Sequence, residues 1–119
     1  MAAGEPDTEC LFCKIVAGDV PATVVRETKD VIAFADINPQ APVHILVIPR
    51  AHYANAGELG AVAPELAGTL LAEAAAVAAE QDLDGGYRLV FNTGAGAGQT
   101  VFHVHAHLLG GRGLTWPPG

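Results

Sequence analysis

Basic residues are scarce in this chain of 119 residues. Six Lys and Arg stand against 13 Asp and Glu, for a net charge of −7 at pH 7. That balance argues against a surface that wraps nucleic acid, which needs a basic face. It leaves room for a small phosphate ligand in a local pocket. Cysteine is scarce too: Cys10 and Cys13 are the only two. The opening MAAGEPDTEC has neither a basic start nor an apolar core, so no export signal is expected and the cytoplasm is the expected location. In that setting the two thiols read as a metal or redox pair rather than a disulfide framework. Long apolar runs are missing as well. The longest, Ala74–Ala79, falls far short of the roughly 20 residues of a membrane span. There is no internal repeat. With 50% hydrophobic and 16% charged residues the chain is globular, and its length suits one domain over residues 1–119.

The pattern of what remains predicts an α+β fold: a five-stranded, mostly antiparallel sheet with one long helix and a short N-terminal helix. Cys10–Ala17 ends at Gly18 and reads as a short helix or turn. Ala22–Glu27 and Val31–Asp36 are β-branched or aromatic runs parted by Thr28-Lys29-Asp30, as in a hairpin. The run from Pro42 to Pro49 is nearly continuous in apolar residues, as a central strand buried on both faces should be. Pro64–Asp82 repeats Leu66, Leu70, Ala74 and Val77 at helical spacing. Pro64 suits its first turn, and Gly85-Gly86 its exit. Tyr87–Thr93 and Val101–Leu109 read as strands around a glycine-rich loop, Gly94–Gln99.

Five histidines fall in three places: His44, His52, and the alternating run of His103, His105 and His107. Period two puts the last three on one face and Val104, Ala106 and Leu108 on the other. A solvated polar face, a metal site and a catalytic cluster are all open at this point. Imidazole is the commonest transition-metal ligand. It is also a nucleophile toward phosphorus, splitting one displacement into two. The preceding loop favours the second chemistry. Its glycines allow backbone amides to converge on an anion, and Gln99 and Thr100 add side-chain donors. No Gly-Lys-Ser/Thr closes it, so it is not a Walker loop. Cys10 and Cys13 have the spacing at which two thiolates meet one tetrahedral ion, but two cysteines are half a site, and histidines must supply the rest. Asp36, before Asn38-Pro39, reads equally as a turn acid, and Trp116 as core.

His103-Val104-His105-Ala106-His107-Leu108-Leu109 resembles the signature of the histidine triad (HIT) superfamily. The chain as a whole resembles its Hint-like branch, the nucleoside phosphoramidases, from about Leu11 to the C-terminus. Cys13-Lys14-Ile15, Ala33–Ile37, Pro39–His44, Val47–Arg50, Gly98–His103 and the ending Trp116-Pro117-Pro118-Gly119 sit as in that branch. The resemblance implies hydrolysis of purine nucleoside 5′-phosphoramidates through a nucleotidyl-histidine. A dinucleoside polyphosphate hydrolase and a nucleotide-binding regulatory module are the alternatives. It implies His105 as nucleophile, His107 and His44 as the orienting and proton-handling network, and Thr100 as a relay hydroxyl. Asn92, Gly98 and Gln99 are implied at the phosphate, Asp36 at the ribose, and Phe34 and Ile37 around the nucleoside. Trp116 is implied to reach a partner subunit in a homodimer, with no nucleic-acid or membrane partner. Thr100 stands where Hint-like proteins usually carry serine, and β-branching restricts its rotamer. The cysteine pair resembles that of the zinc-bearing bacterial members, which implies a structural Zn²⁺ on Cys10, Cys13, His52 and His103.

Overall fold

A computed structural model describes residues 3–119. A short helix α1 (Leu11–Ala17) precedes the hairpin β1 (Val24–Glu27) and β2 (Val31–Ala35), then β3 (Val43–Pro49). Helices α2 (Ala56–Val62) and α3 (Pro64–Glu80) follow, then β4 (Tyr87–Val90), a 3₁₀ turn at Ala95–Ala97, and β5 (Ala106–Gly110). The sheet runs β1-β2-β3-β5-β4 and every pairing is antiparallel. The expected α+β sheet is present, with β3 at its centre and buried along nearly its whole length.

Three elements differ from the sequence expectation. The strand expected over Val101–Leu109 begins only at Ala106, so His103 and His105 lie on irregular backbone ahead of it. Helix α2 was not anticipated. Its signal is a cap: the Asn55 side chain accepts from the Glu58 amide at 2.9 Å, and the Glu58 carboxylate accepts from the Ala54 amide at 3.1 Å. The strand expected over Tyr87–Thr93 stops at Val90, where the backbone turns into the glycine loop.

Period two sorts the sheet into two faces. Val31, Ala33, Ile45, Val47, Ala106 and Leu108 pack with Leu59 of α2 and Leu70, Ala74 and Val77 of α3. Ile32, Phe34, Leu46 and Ile48 face the other way, onto Phe12 and the two cysteines. Helix α1 covers part of that second face. It starts at Cys10, whose sulfur accepts from the Cys13 amide at 3.4 Å, and stops at Gly18, whose φ of 83° suits glycine alone among common residues. Beyond α1 the face is open. The same alternation puts His44 on β3 and His107 on β5 on that face, His44 buried behind His107, which lines the opening.

Candidate active site and metal centre

The open part of the second face is a cleft of about 510 Å³ between α1, the end of β2 and the segment Thr100–His107. Phe34, Asp36, Ile37, Thr100, His105 and His107 line it, together with Leu11, Phe12 and Ile15 of α1. The α1 residues escaped the sequence reading. Their signal was apolar spacing on one side of the helix. Phe12 stacks edge-on to His105, ring centroids 5.1 Å apart at 88°, and to Phe34 at 5.5 Å. Ile37 is fully exposed at the rim.

Hydrogen bonds fix where each proton sits. The His105 Nδ1 lies 2.8 Å from the His103 carbonyl, which can only accept. Nδ1 therefore carries the hydrogen and Nε2 keeps a free lone pair. His44 Nδ1 accepts from the Gln40 amide at 3.0 Å. Its hydrogen is consequently on Nε2, which donates to His107 Nδ1 at 2.9 Å and lies 3.4 Å from Asp36 Oδ2. His107 is then left with an N–H at Nε2. Burial pushes the His105 imidazole below its usual range, against the pull of the His103 carbonyl and of Asp36. Burial, followed by the facing His105 and His44, pushes His107 down to about 4, and Asp36 opposes this. These two rings are neutral at physiological pH, as a nucleophile and its hydrogen-bonded partner must be.

The glycine loop is held from within. Gln99 is buried; its Oε1 accepts from the Gly94 amide at 2.9 Å and its Nε2 donates to the carbonyls of Ala54 at 2.7 Å and Val101 at 3.1 Å. Its side chain braces the loop rather than projecting a donor into the cleft. Gly98 supplies a left-handed turn, φ 91°, which a side chain would strain. Asn92 and Gly98 do not line the cleft wall, and Trp116 is 81% exposed, neither core nor in contact with the cleft.

On the far side of the same segment lies a second cluster. Cys10 Sγ is 3.6 Å and Cys13 Sγ 3.5 Å from His103 Nδ1; His52 Nδ1 is 3.3 Å from Cys13 Sγ and 3.2 Å from His103 Nδ1. An ion with Zn–S of about 2.3 Å and Zn–N of about 2.05 Å in a tetrahedron needs S···N edges of about 3.5 Å and an N···N edge of about 3.3 Å. The four donors fit it. His103 Nε2 donates to the Pro49 carbonyl at 2.8 Å, which leaves the Nδ1 lone pair pointing at the thiols. Burial holds His103 down to about 4 and pushes the Cys10 thiol up, so an ion must displace the thiol proton to bind. A closed two-thiolate, two-imidazole set has no position left for water, which makes it a structural centre.

The HIT domain family matches residues 17–114. The chain belongs to that family. Within it the relatives are Hint-like and zinc-binding members. Over 115 residues the chain is 47% identical to the 14 kDa zinc-binding protein of Zea mays, covering 95% of this chain and 90% of that one. It is 43% identical to the adenylylsulfatase HINT1 of Arabidopsis thaliana, covering 100% of this chain and 82% of that one. A crystal structure of a HIT family hydrolase from Legionella pneumophila Philadelphia 1 superposes with a TM-score of 0.90 at 52% identity, covering 93% of this chain and 100% of the other. In this chain the histidine run is a divider, with the cleft on one side and the thiols on the other.

Proposed function

We propose that this HIT domain is a nucleotide hydrolase that cleaves the P–N bond of purine nucleoside 5′-phosphoramidates. The observation that carries the reading is the tautomer of His105: its Nδ1–H is tied to the His103 carbonyl and its Nε2 is bare beside the cleft. The Nε2 lone pair attacks phosphorus, the P–N bond to the amine breaks, and the departing nitrogen takes a proton relayed from solvent through the Thr100 hydroxyl, while the His107 Nε2–H donates to a phosphate oxygen. Water then attacks the nucleotidyl-histidine, the bond from phosphorus to His105 Nε2 breaks, the water's proton leaves by the same relay, and the nucleoside monophosphate departs. His44 holds His107 in the required tautomer. The apolar wall of Leu11, Phe12, Ile15 and Phe34 suits a base, and Asp36 at the rim suits the ribose hydroxyls, while Thr100 suits the phosphate. The Legionella hydrolase and the Arabidopsis adenylylsulfatase support hydrolysis of a nucleotide.

Zinc at Cys10, Cys13, His52 and His103 would tie the N-terminal segment to the sheet, and the zinc-binding relative from Zea mays supports it. A homodimer is part of the proposal. Strand β4 ends the sheet, so its outer edge has no strand partner among the described residues, and edges of this kind are usually paired or covered. The exposed Trp116 is free to reach across a two-fold axis to a second copy.

The test is turnover of adenosine 5′-phosphoramidate beside adenosine 5′-phosphosulfate and diadenosine polyphosphates, with mass spectrometry of a quenched reaction. The phosphoramidate should be cleaved fastest, with an adenylyl adduct on His105. Faster cleavage of the phosphosulfate or of a dinucleotide would replace the substrate assignment. Nucleotide binding without turnover would leave a regulatory module instead.

A further inference from the structure

The segment that carries the nucleophile is not held as a strand. Residues 101–105 lie outside β5, so the sheet ladder that fixes His107 does not reach His105. Among the described residues, the one backbone-to-backbone hydrogen bond that ties this stretch to the rest of the fold is Val104 N–H to the Tyr53 carbonyl at 2.7 Å, and the Gln99 amide adds a bond to the Val101 carbonyl. The His105 ring is instead gripped by two neighbours. One is the His103 carbonyl, 2.8 Å from Nδ1. The other is the Phe12 ring, 5.1 Å away and nearly perpendicular. Both neighbours belong to the thiol cluster. His103 contributes its Nδ1 to that cluster, and Phe12 sits between Cys10 and Cys13 with its ring also against His103, at 6.0 Å.

We propose that His103 is a positioning residue that conveys metal loading to the nucleophile: its ring is held by the thiol cluster and its carbonyl selects the tautomer of His105. The inference rests on the reading of His105 as nucleophile and of the four donors as a zinc set. With the cluster closed, the His103 ring is fixed by its Nδ1 on one side and by the Pro49 carbonyl on the other. The peptide plane that follows is then fixed too, and its oxygen points at His105. With the cluster open, two thiols and two imidazoles have no common partner. The ring is then held by Pro49 and by a weak thiol donor in place of a metal bond, and Phe12 loses the clamp on either side of it. The carbonyl is freed to turn, and the imidazole of His105 can place its hydrogen on either nitrogen. Only the form with a bare Nε2 can attack phosphorus. Metal loading therefore acts on the chemical step more than on nucleotide binding, for which the cleft keeps Leu11, Ile15, Phe34 and Asp36 beside Phe12.

The experiment compares zinc-loaded protein with protein stripped by a chelator, and with Cys10→Ser/Cys13→Ser where that variant stays folded by circular dichroism. Nitrogen-15 NMR of the histidine side chains reads the tautomer of His105 without any turnover. The loaded protein should show one tautomer with hydrogen on Nδ1; the stripped protein should show exchange between two. The kcat should fall roughly tenfold with KM within about twofold, the pattern expected when an outer partner orients a reacting group. Should the stripped protein unfold, cobalt(II) in place of zinc offers a second readout. Adding AMP to the cobalt protein should shift the visible absorption bands of the ion, because coupling between two sites is reciprocal. A folded, stripped protein that keeps a single His105 tautomer, or a cobalt spectrum indifferent to AMP, would overturn the coupling. A zinc-dependent tautomer in a protein that turns over none of the nucleotides would keep the coupling and discard the hydrolase reading.

Discussion

Cys10, Cys13, His52 and His103 on one side of the histidine run, and Asp36, His44 and His107 on the other, each bring their donor atoms within 4.8 Å of one another. By distance alone either set could hold an ion. What separates them is the partner of the nitrogen that points away. The far nitrogen of His103 meets the Pro49 carbonyl, so the near nitrogen is a lone pair. The far nitrogen of His44 meets the Gln40 amide, so the near nitrogen is an N–H. One backbone acceptor makes a ligand; one backbone donor makes a link in a proton chain. The flanking side chains agree. Soft thiolates favour zinc, whereas Asp36 is a hard oxygen that faces the His44 Nε2–H at 3.4 Å.

The contrast is broken most severely at His105. His105→Gly should remove the covalent route and lower turnover by about a thousandfold or more, while AMP binding and bound zinc persist. A quenched-flow assay with metal analysis of the same sample checks both halves. Near-normal turnover, or loss of zinc along with it, would show that the two sides are not separable in this way.

The thiol side is broken by Cys10→Ser with Cys13→Ser. Bound zinc should vanish, and thermal unfolding should move down by something on the order of 10 °C, since binding at a preformed set stabilises the fold and about 1 kcal/mol is worth several degrees in a domain of this size. Calorimetry reads the shift. An unchanged melting temperature in a variant that has lost its zinc would make the ion incidental to the fold.

Much of this division was legible in the residues. The alternation from His103 to Leu108 placed three rings away from Val104, Ala106 and Leu108, and those three do pack together in the helix-side core even though the ladder begins only at Ala106. The apolar run closed by Pro42 and Pro49 was likewise legible as the central strand. Helix α2 escaped although Asn55 and Glu58 stand at capping distance, since seven residues carry little periodicity. The work of Gln99 escaped more completely. A glutamine next to glycines reads as a donor for a ligand, and only the fold brings the Ala54 carbonyl to its amide. The protons on His44 and His103 were likewise out of reach, because they depend on Gln40 and Pro49, which no spacing rule joins to a histidine.

A finer probe of the cleft side is acid. His107 accepts the His44 N–H at Nδ1, so a proton added there would set two donors face to face. Burial, then the facing His105 and His44, hold its pKa at about 4 in the fold although Asp36 pulls the other way, against about 6.5 for an unfolded histidine. Between those values the unfolded chain binds more protons, so stability rises with pH across this window and is lost as pH falls through it. The titration of the His107 ring by NMR should have its midpoint near 4 in the folded protein. A midpoint near that of a free histidine would mean that the ring is not sealed against His44.

The smallest expected effect is the sharpest test of the comparison, because it is nearly none. Zinc added in excess to zinc-loaded protein should find no second site at Asp36, His44 and His107, although their donors are as close together as those of the thiol set. To bind, His44 would have to give up the hydrogen on Nε2 and carry one on Nδ1, 3.0 Å from the Gln40 amide. Two N–H groups would then face each other, and a buried donor left without an acceptor costs about 1–3 kcal/mol. The bond from His44 to His107 would also be lost. Binding should weaken correspondingly, by about one to two powers of ten relative to a free pair of imidazoles. Titration calorimetry should therefore count one zinc per chain, and micromolar zinc should slow turnover by less than about twofold. A second equivalent that binds tightly and inhibits would show that the Gln40 amide does not dictate the tautomer, and the distinction between the two clusters would then rest on the thiols alone.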